Sequence, residues 1–217
     1  MSKEERAGGR GGAGTKGMPR RERELLILDA GAEEFGTKGY AGGSTAVVAA
    51  RAGISKPMIY EYFGSRDGLY RACLERAGSR LVAAVASAQD GSPDAGRAAR
   101  TMGALFRALE SRVHDWDLVH DTTLPEGSEP YAAAAVHRRE LNRMGAAGVS
   151  EVLGAAAITD PLDADLVTHL WYGTVGAAIR WWRHHPEQTA EEMTARFGRV
   201  TAALLAPPVG AGGPAKG

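Results

Sequence analysis

Residues 44–70 read STAVVAARAGISKPMIYEYFGSRDGLY, and this run decides the fold. It divides into two short helices joined at Gly53, with a third helix restarting at Ser65. Glycine can take the left-handed conformation that ends the first helix. Ser55 is placed to cap the second, and Pro57 sits in its first turn, where a missing N–H costs little. Ala49, Ala52, Ile54, Ile59 and Phe63 supply a small apolar inner face, with Ile59 and Phe63 one helical turn apart. Lys56, Pro57, Met58, Tyr60 and Tyr62 are left pointing outward, an odd set for a face that only meets water.

That outward set suits duplex DNA. A helix in the major groove meets phosphates at both rims and base edges on the floor. Lys56 offers charge to phosphate or guanine, the tyrosine hydroxyls reach phosphate oxygens, and Pro57 and Met58 suit a thymine methyl. Ser44 and Thr45, at a helix start, present hydroxyls and backbone N–H groups to a phosphate. Arg66, at the next helix start, is placed to clamp another. The competing reading is a helical hairpin with incidentally exposed aromatics.

From Gly53 to Leu69 the pattern G-x-S-K-x-x-x-Y-x-Y-F-x-S-[RK]-x-x-L resembles the DNA-binding signature of TetR-type transcriptional regulators. The likeness extends back through Ala30, Phe35, Gly39 and Tyr40, covering roughly residues 20 to 72. It implies that the Lys56–Tyr62 helix enters the major groove. It also implies DNA contacts at Ser44, Lys56, Pro57, Met58, Tyr60, Tyr62 and Arg66. Gly43, Ala46, Val47 and Ala50 depart from the pattern, being small or apolar where polar residues are usual.

The 217 residues balance 26 Lys and Arg against 26 Asp and Glu, which conceals an asymmetry. Residues 1–76 carry 13 basic against 10 acidic side chains, and the remainder 13 against 16. A mildly basic N-terminal part fits a nucleic-acid module. The lone cysteine, Cys73, forbids an intrachain disulfide and suggests a reducing compartment. It reads as a small buried hydrophobe rather than a redox sensor. The first twenty residues lack the apolar core of a signal peptide, and no stretch reads as a membrane span, so a cytoplasmic protein is expected.

The chain reads as all-α, with a three-helix head at 19–65 and a helical ligand-binding and dimerisation domain at 66–205. Residues 1–18, Gly-rich and basic, are expected to be a disordered arm, and 206–217 a disordered tail. Arg20, Arg21 and Arg23 open a first helix running to about Lys38, with Leu25, Leu28, Ala32 and Phe35 on one face and phosphate within reach of its start. A helix from Arg66 to Ala88 follows, then a restart at Ser92-Pro93 and a helix to about Val113. A short piece spans 115–121, then a loop at 122–130. Three longer helices come last, near 131–156, 161–185 and 190–205, the final one opened by a capping box at Thr189–Glu192.

The helix 162–185 is apolar nearly all round, so it is buried in a core or an interface. Leu170, Thr174, Ala178 and Trp181 on it, with Met193, Phe197, Val200 and Leu204 on the last helix, are the expected dimer face. The resemblance implies this pairing, and it would let two heads read an inverted repeat. It also implies a small-molecule site among the middle helices. Candidate lining residues are Phe106, Trp116, His120, Tyr131, His137, Met144 and Trp171. The expected protein is a homodimeric repressor of a palindromic operator, released by a small ligand and needing no cofactor. Two rivals stand: a regulator without a ligand, and an enzyme using the polar cluster His114, Asp115, Asp117, His120 and Asp121. No metal, nucleophile or phosphate-loop motif accompanies that cluster.

Overall fold

Helix α1 (Arg20–Gly42) changes direction at Gly39, whose φ of 69° and ψ of 173° leave the helical region. The computed structural model describes residues 17–90, 94 and 96–205, and all regular structure among them is helical. The basic arm up to residue 16, the restart at Ser92-Pro93 and the tail from 206 lie outside the described residues. After α1 come α2 (Thr45–Arg51), α3 (Lys56–Phe63), α4 (Arg66–Gln89), α5 (Arg97–Leu109) and α6 (His114–Val119). The longer α7 (Glu129–Ala155), α8 (Pro161–Arg183) and α9 (Ala190–Leu205) complete the body.

The caps follow from the side chains. Ser65 Oγ accepts the Gly68 N–H at 2.9 Å and opens α4, and Asp160 accepts the Leu162 N–H at 2.9 Å ahead of Pro161. Thr189 and Glu192 exchange bonds as a capping box, 3.2 Å and 2.8 Å. Ser55 departs from expectation: its hydroxyl makes no capping bond, and its carbonyl takes the Met58 N–H instead. α5 stops four residues early, where Glu110 turns extended at ψ 126° and Ser111 follows at φ 62°.

α4 is the common member that joins the head to the body. Its Leu69, Tyr70, Cys73, Leu74, Ala77 and Leu81 are buried completely. The face α1 turns toward it is Ile27, Leu28, Gly31 and Phe35, whereas Leu25, expected on that face, is exposed. Gly31 explains the register. A Cβ there would stand 2.7 Å from Cys73 Sγ, so α1 and α4 approach through a residue without a side chain. Asp29 adds a polar lock, accepting from Arg76 of α4 at 2.5 Å and from Arg112 at 2.6 Å. Burial pushes the Cys73 thiol up to about 12, so it stays a protonated, unreactive core residue.

Candidate nucleic-acid interface and internal cavity

Ile59 is fully buried on the inner face of α3, which packs on α2 and α4, and the opposite face projects outward. On that face Lys56, Pro57 and Tyr60 are exposed, Tyr60 at 40%, and Met58 is half-buried. Arg21 is also exposed at the start of α1. Tyr62 is half-buried and turns back toward α1. Its hydroxyl accepts from Arg23 at 3.1 Å, and the Arg20 guanidinium lies 4.7 Å from its ring centre. Arg20 and Tyr62 thus brace the start of α1 against α3.

Two expected contacts are corrected by the packing. Thr45 is buried, so its side chain cannot meet a phosphate. Arg66 is consumed within the head: its Nη2 donates to the Tyr40 and Gly43 carbonyls, the latter at 3.2 Å. Its guanidinium also lies 4.4 Å from the Tyr40 ring centre and 5.5 Å from that of Phe35. Ser44 remains half-exposed, but its backbone N–H donates to the buried Glu34 at 3.2 Å. Arg51 is held by Glu33 at 3.0 Å, which leaves α2 with exposed Ala46, Val47 and Ala50.

Inside the body, a cavity of about 360 Å³ lies between α4, α5, α6, α7 and α8. Trp116, His120 and Trp171 line it, together with Leu105, Arg138, Asn142, Tyr172 and Arg180. A second hollow of about 290 Å³ shares Gln89, Thr101, Gly145 and Trp171 with it. The far end of that hollow is aliphatic: Val149, Val152, Leu153 and Val167. The first hollow holds most of the polar groups, and the adjoining second one is mainly apolar with Arg97 in its wall. His120 stacks on Trp116 at 3.9 Å, and burial pushes its pKa below the ordinary value, so the ring is neutral near pH 7.

The other expected lining residues serve the core. Phe106 packs edge-on to Trp182 at 5.4 Å. His137, buried against Gly78 of α4, has its Nε2 2.9 Å from Glu75. Met144 is buried outside the lining, and Tyr131 sits under Arg138, 5.7 Å from its ring centre. The residues that reading the sequence missed are Arg138, Asn142, Tyr172 and Arg180. Arg138 and Asn142 lie in the polar run 137–143 and Tyr172 and Arg180 beside tryptophans, and only the meeting of α7 with α8 turns them toward a common space.

The polar cluster at 114–121 is dispersed by the fold. His114 packs on Gly36, Asp115 pairs with Arg80, Asp117 pairs with Arg183 at 2.8 Å, and Asp121 binds Tyr40 and Tyr70. Among the described residues no group of three His, Cys, Asp or Glu is placed to hold a metal ion. Burial, only partly offset by Arg183, pushes the Asp117 carboxyl up to about 6 from 3.8. A raised carboxyl pKa stabilises the fold at low pH, and that contribution disappears as pH rises through about 6. The stability difference between the native chain and Asp117→Asn is therefore expected to shrink by on the order of 2 kcal/mol from pH 4 to pH 7. Paired urea titrations across that range check it, and a pH-independent difference contradicts it.

On α8, Leu162, Leu166, Leu170 and Trp181 are exposed, and Val200 and Leu204 continue the apolar surface on α9. Thr174 is exposed and Ala178 half-buried. Met193, expected on that face, is buried instead. Phe197 is half-buried, 6.4 Å from Phe106 and 6.5 Å from Trp171. No helix among the described residues is long and apolar enough to cross a membrane.

Residues 27–73, which span most of this head and the start of α4, match the family described as bacterial regulatory proteins, tetR family. The chain is 33% identical over 120 residues to the HTH-type transcriptional activator FasR of Mycolicibacterium smegmatis. That match covers 55% of this chain and 54% of FasR, about half the relative's length. The fold is similar to that of the TetR family regulator PfmR from Thermus thermophilus, at 23% identity and TM-score 0.68. There 89% of this chain and all of that one are covered. Bacillus subtilis FadR in complex with stearoyl-CoA is similar at 17% identity and TM-score 0.61, covering 84% of this chain and 97% of FadR.

Proposed function

We propose that this chain is a TetR-type transcriptional regulator that binds an inverted-repeat operator as a homodimer and is released by a small ligand. The observation that carries this reading is α3, locked by Ile59 with Lys56, Pro57 and Tyr60 facing out. Two such helices fit successive major grooves about 34–36 Å apart. Arg21, Ser44 and Met58 complete the proposed contact surface. The dimer is built from Leu162, Leu166, Leu170 and Trp181 of α8 with Val200 and Leu204 of α9, all exposed among the described residues. Residues 19–65 act as the reading head and 66–205 as the responding domain, in the cytoplasm.

The experiment is selection from a randomised duplex pool at near-physiological salt, followed by titration of the enriched site. Enrichment of an inverted repeat is expected, and none from a folded dimer contradicts the reading. Lys56→Ala is expected to weaken the selected site about tenfold and to reduce the slope of log K against log salt by about one per half-site. Equal affinity and equal slope would remove α3 from the groove.

The ligand reading rests on the two adjoining hollows, one with Arg138 and Arg180 in its wall and the other with Val149, Val152 and Leu153. That shape suits an amphipathic molecule, and the similar FadR fold carries stearoyl-CoA. A second reading, activation by the bound dimer, is favoured by FasR, whose name is that of an activator. A promoter–reporter pair with and without the regulator separates the two by sign.

A further inference from the structure

The cavity and the head meet at one short stretch of chain. α6 turns Trp116 and His120 toward the cavity, and the residues just after it hold the head. Asp121 Oδ2 accepts the Tyr40 N–H at 2.5 Å and the Tyr70 hydroxyl at 2.9 Å. Asp121 Oδ1 accepts the Thr123 hydroxyl at 2.7 Å, and Thr123 Oγ1 accepts the Ala41 N–H at 3.3 Å. Tyr40 and Ala41 follow the Gly39 bend, and a Cβ on Gly39 would stand 2.8 Å from Thr123 Oγ1. The segment that leads into α2 and α3 is therefore pinned through its own backbone.

Arg138 stands behind this pin. From α7 its Nη1 donates to the Val119 carbonyl at 3.1 Å while its guanidinium lines the cavity. Val119 closes α6, where carbonyls have no partner in a following turn and depend on outside donors. An anionic group adds a charge–charge attraction, and the chance of a bidentate pair, to the bond that a neutral carbonyl offers the guanidinium. A ligand acid at this end of the cavity thus competes with the Val119 carbonyl for the position of the guanidinium.

We propose that Arg138 is the positioning residue that couples cavity to head. An anionic ligand group draws it off the Val119 carbonyl, the end of α6 loosens, and Asp121 loses its hold on the Tyr40 amide. This rests on the reading of the cavity as the ligand site. The ligand class is an amphipathic anion, its charge at Arg138 and Arg180 and its chain along Val149, Val152 and Leu153.

The test is hydrogen exchange at the Tyr40 and Ala41 amides of the full-length protein without DNA. Asp121→Asn is expected to speed exchange there about tenfold, the loss of one hydrogen bond. Arg138→Met is expected to speed the same two amides, Arg138→Lys to restore part of their protection, and the Arg138→Met/Asp121→Asn double variant to go no faster than Asp121→Asn. Helical circular dichroism identifies any variant that fails to fold, and Thr123→Val then substitutes for Asp121→Asn. Arg138→Met with native exchange overturns the coupling. Dodecanoate, with binding read from Trp116 and Trp171 fluorescence, is expected to speed Tyr40 exchange in the native chain and to add nothing in Arg138→Met. The uncharged 1-dodecanol is expected to leave exchange unchanged, and equal effects of the two overturn the role of the anion. If neither perturbs the tryptophans, the cavity reading and its anionic ligand fail, and Arg138→Met alone decides the coupling.

Discussion

Leu170→Glu is expected to convert the dimer to monomers and to weaken operator binding about 100-fold or more, without unfolding the subunit. Leu170 is 61% exposed in the subunit, Leu166 one turn before it 59%, and Leu204 on α9 77%. Each leucine buried between subunits is worth about 1.5–3 kcal/mol, and a glutamate at a two-fold interface faces its own copy. The monomer has water at this position, so its melting temperature should hold. Operator affinity falls because the second head no longer binds as a tethered neighbour, an advantage of about 10²–10⁴. Sedimentation and operator titration on the same sample check both halves. A dimeric Leu170→Glu with native affinity would move the interface off α8 and α9.

Arg66→Ala is expected to destabilise the chain by about 2–3 kcal/mol, lowering Tm by roughly 5–10 °C for a protein of this size. The arginine serves two carbonyls at the end of α1 and stacks on Tyr40 and Phe35. Removing it strands those carbonyls and uncovers the rings. Thermal unfolding of Arg66→Ala beside Lys56→Ala gives the contrast. Lys56→Ala should melt like the native chain and bind DNA poorly, whereas Arg66→Ala should melt early. If Arg66→Ala melts like the native chain and only loses DNA affinity, the guanidinium serves phosphate instead.

That contrast marks where the sequence is legible. A basic residue at the start of a helix beside a reading helix looks the same whether it meets phosphate or the carbonyls of α1. Spacing puts Lys56 and Arg66 near the same surface, but the partners of Arg66 lie at Tyr40 and Gly43, more than twenty residues before it. The cavity repeats the point. Trp116, His120 and Trp171 were within reach because large and polar groups interrupt apolar helices there. Phe106, His137 and Met144 have the same local signature and are core.

By itself the sequence determined the helical class, the turn at Gly53, the caps at Ser65, Asp160 and Thr189, and the outward side chains of α3. These depend on neighbours within one or two turns, where periodicity, glycine and capping hydroxyls act directly. Only the tertiary structure decided which residue of a helical face is covered, since that depends on how near the opposing helix comes. Gly31 against Cys73 moved the buried stripe of α1 off Leu25, and α9 folding onto α5 withdrew Met193 from the surface. The link from Arg138 through Val119 and Asp121 to Tyr40 was out of reach for the same reason. It joins residues up to 98 positions apart, and only packing brings them within a hydrogen bond of one another.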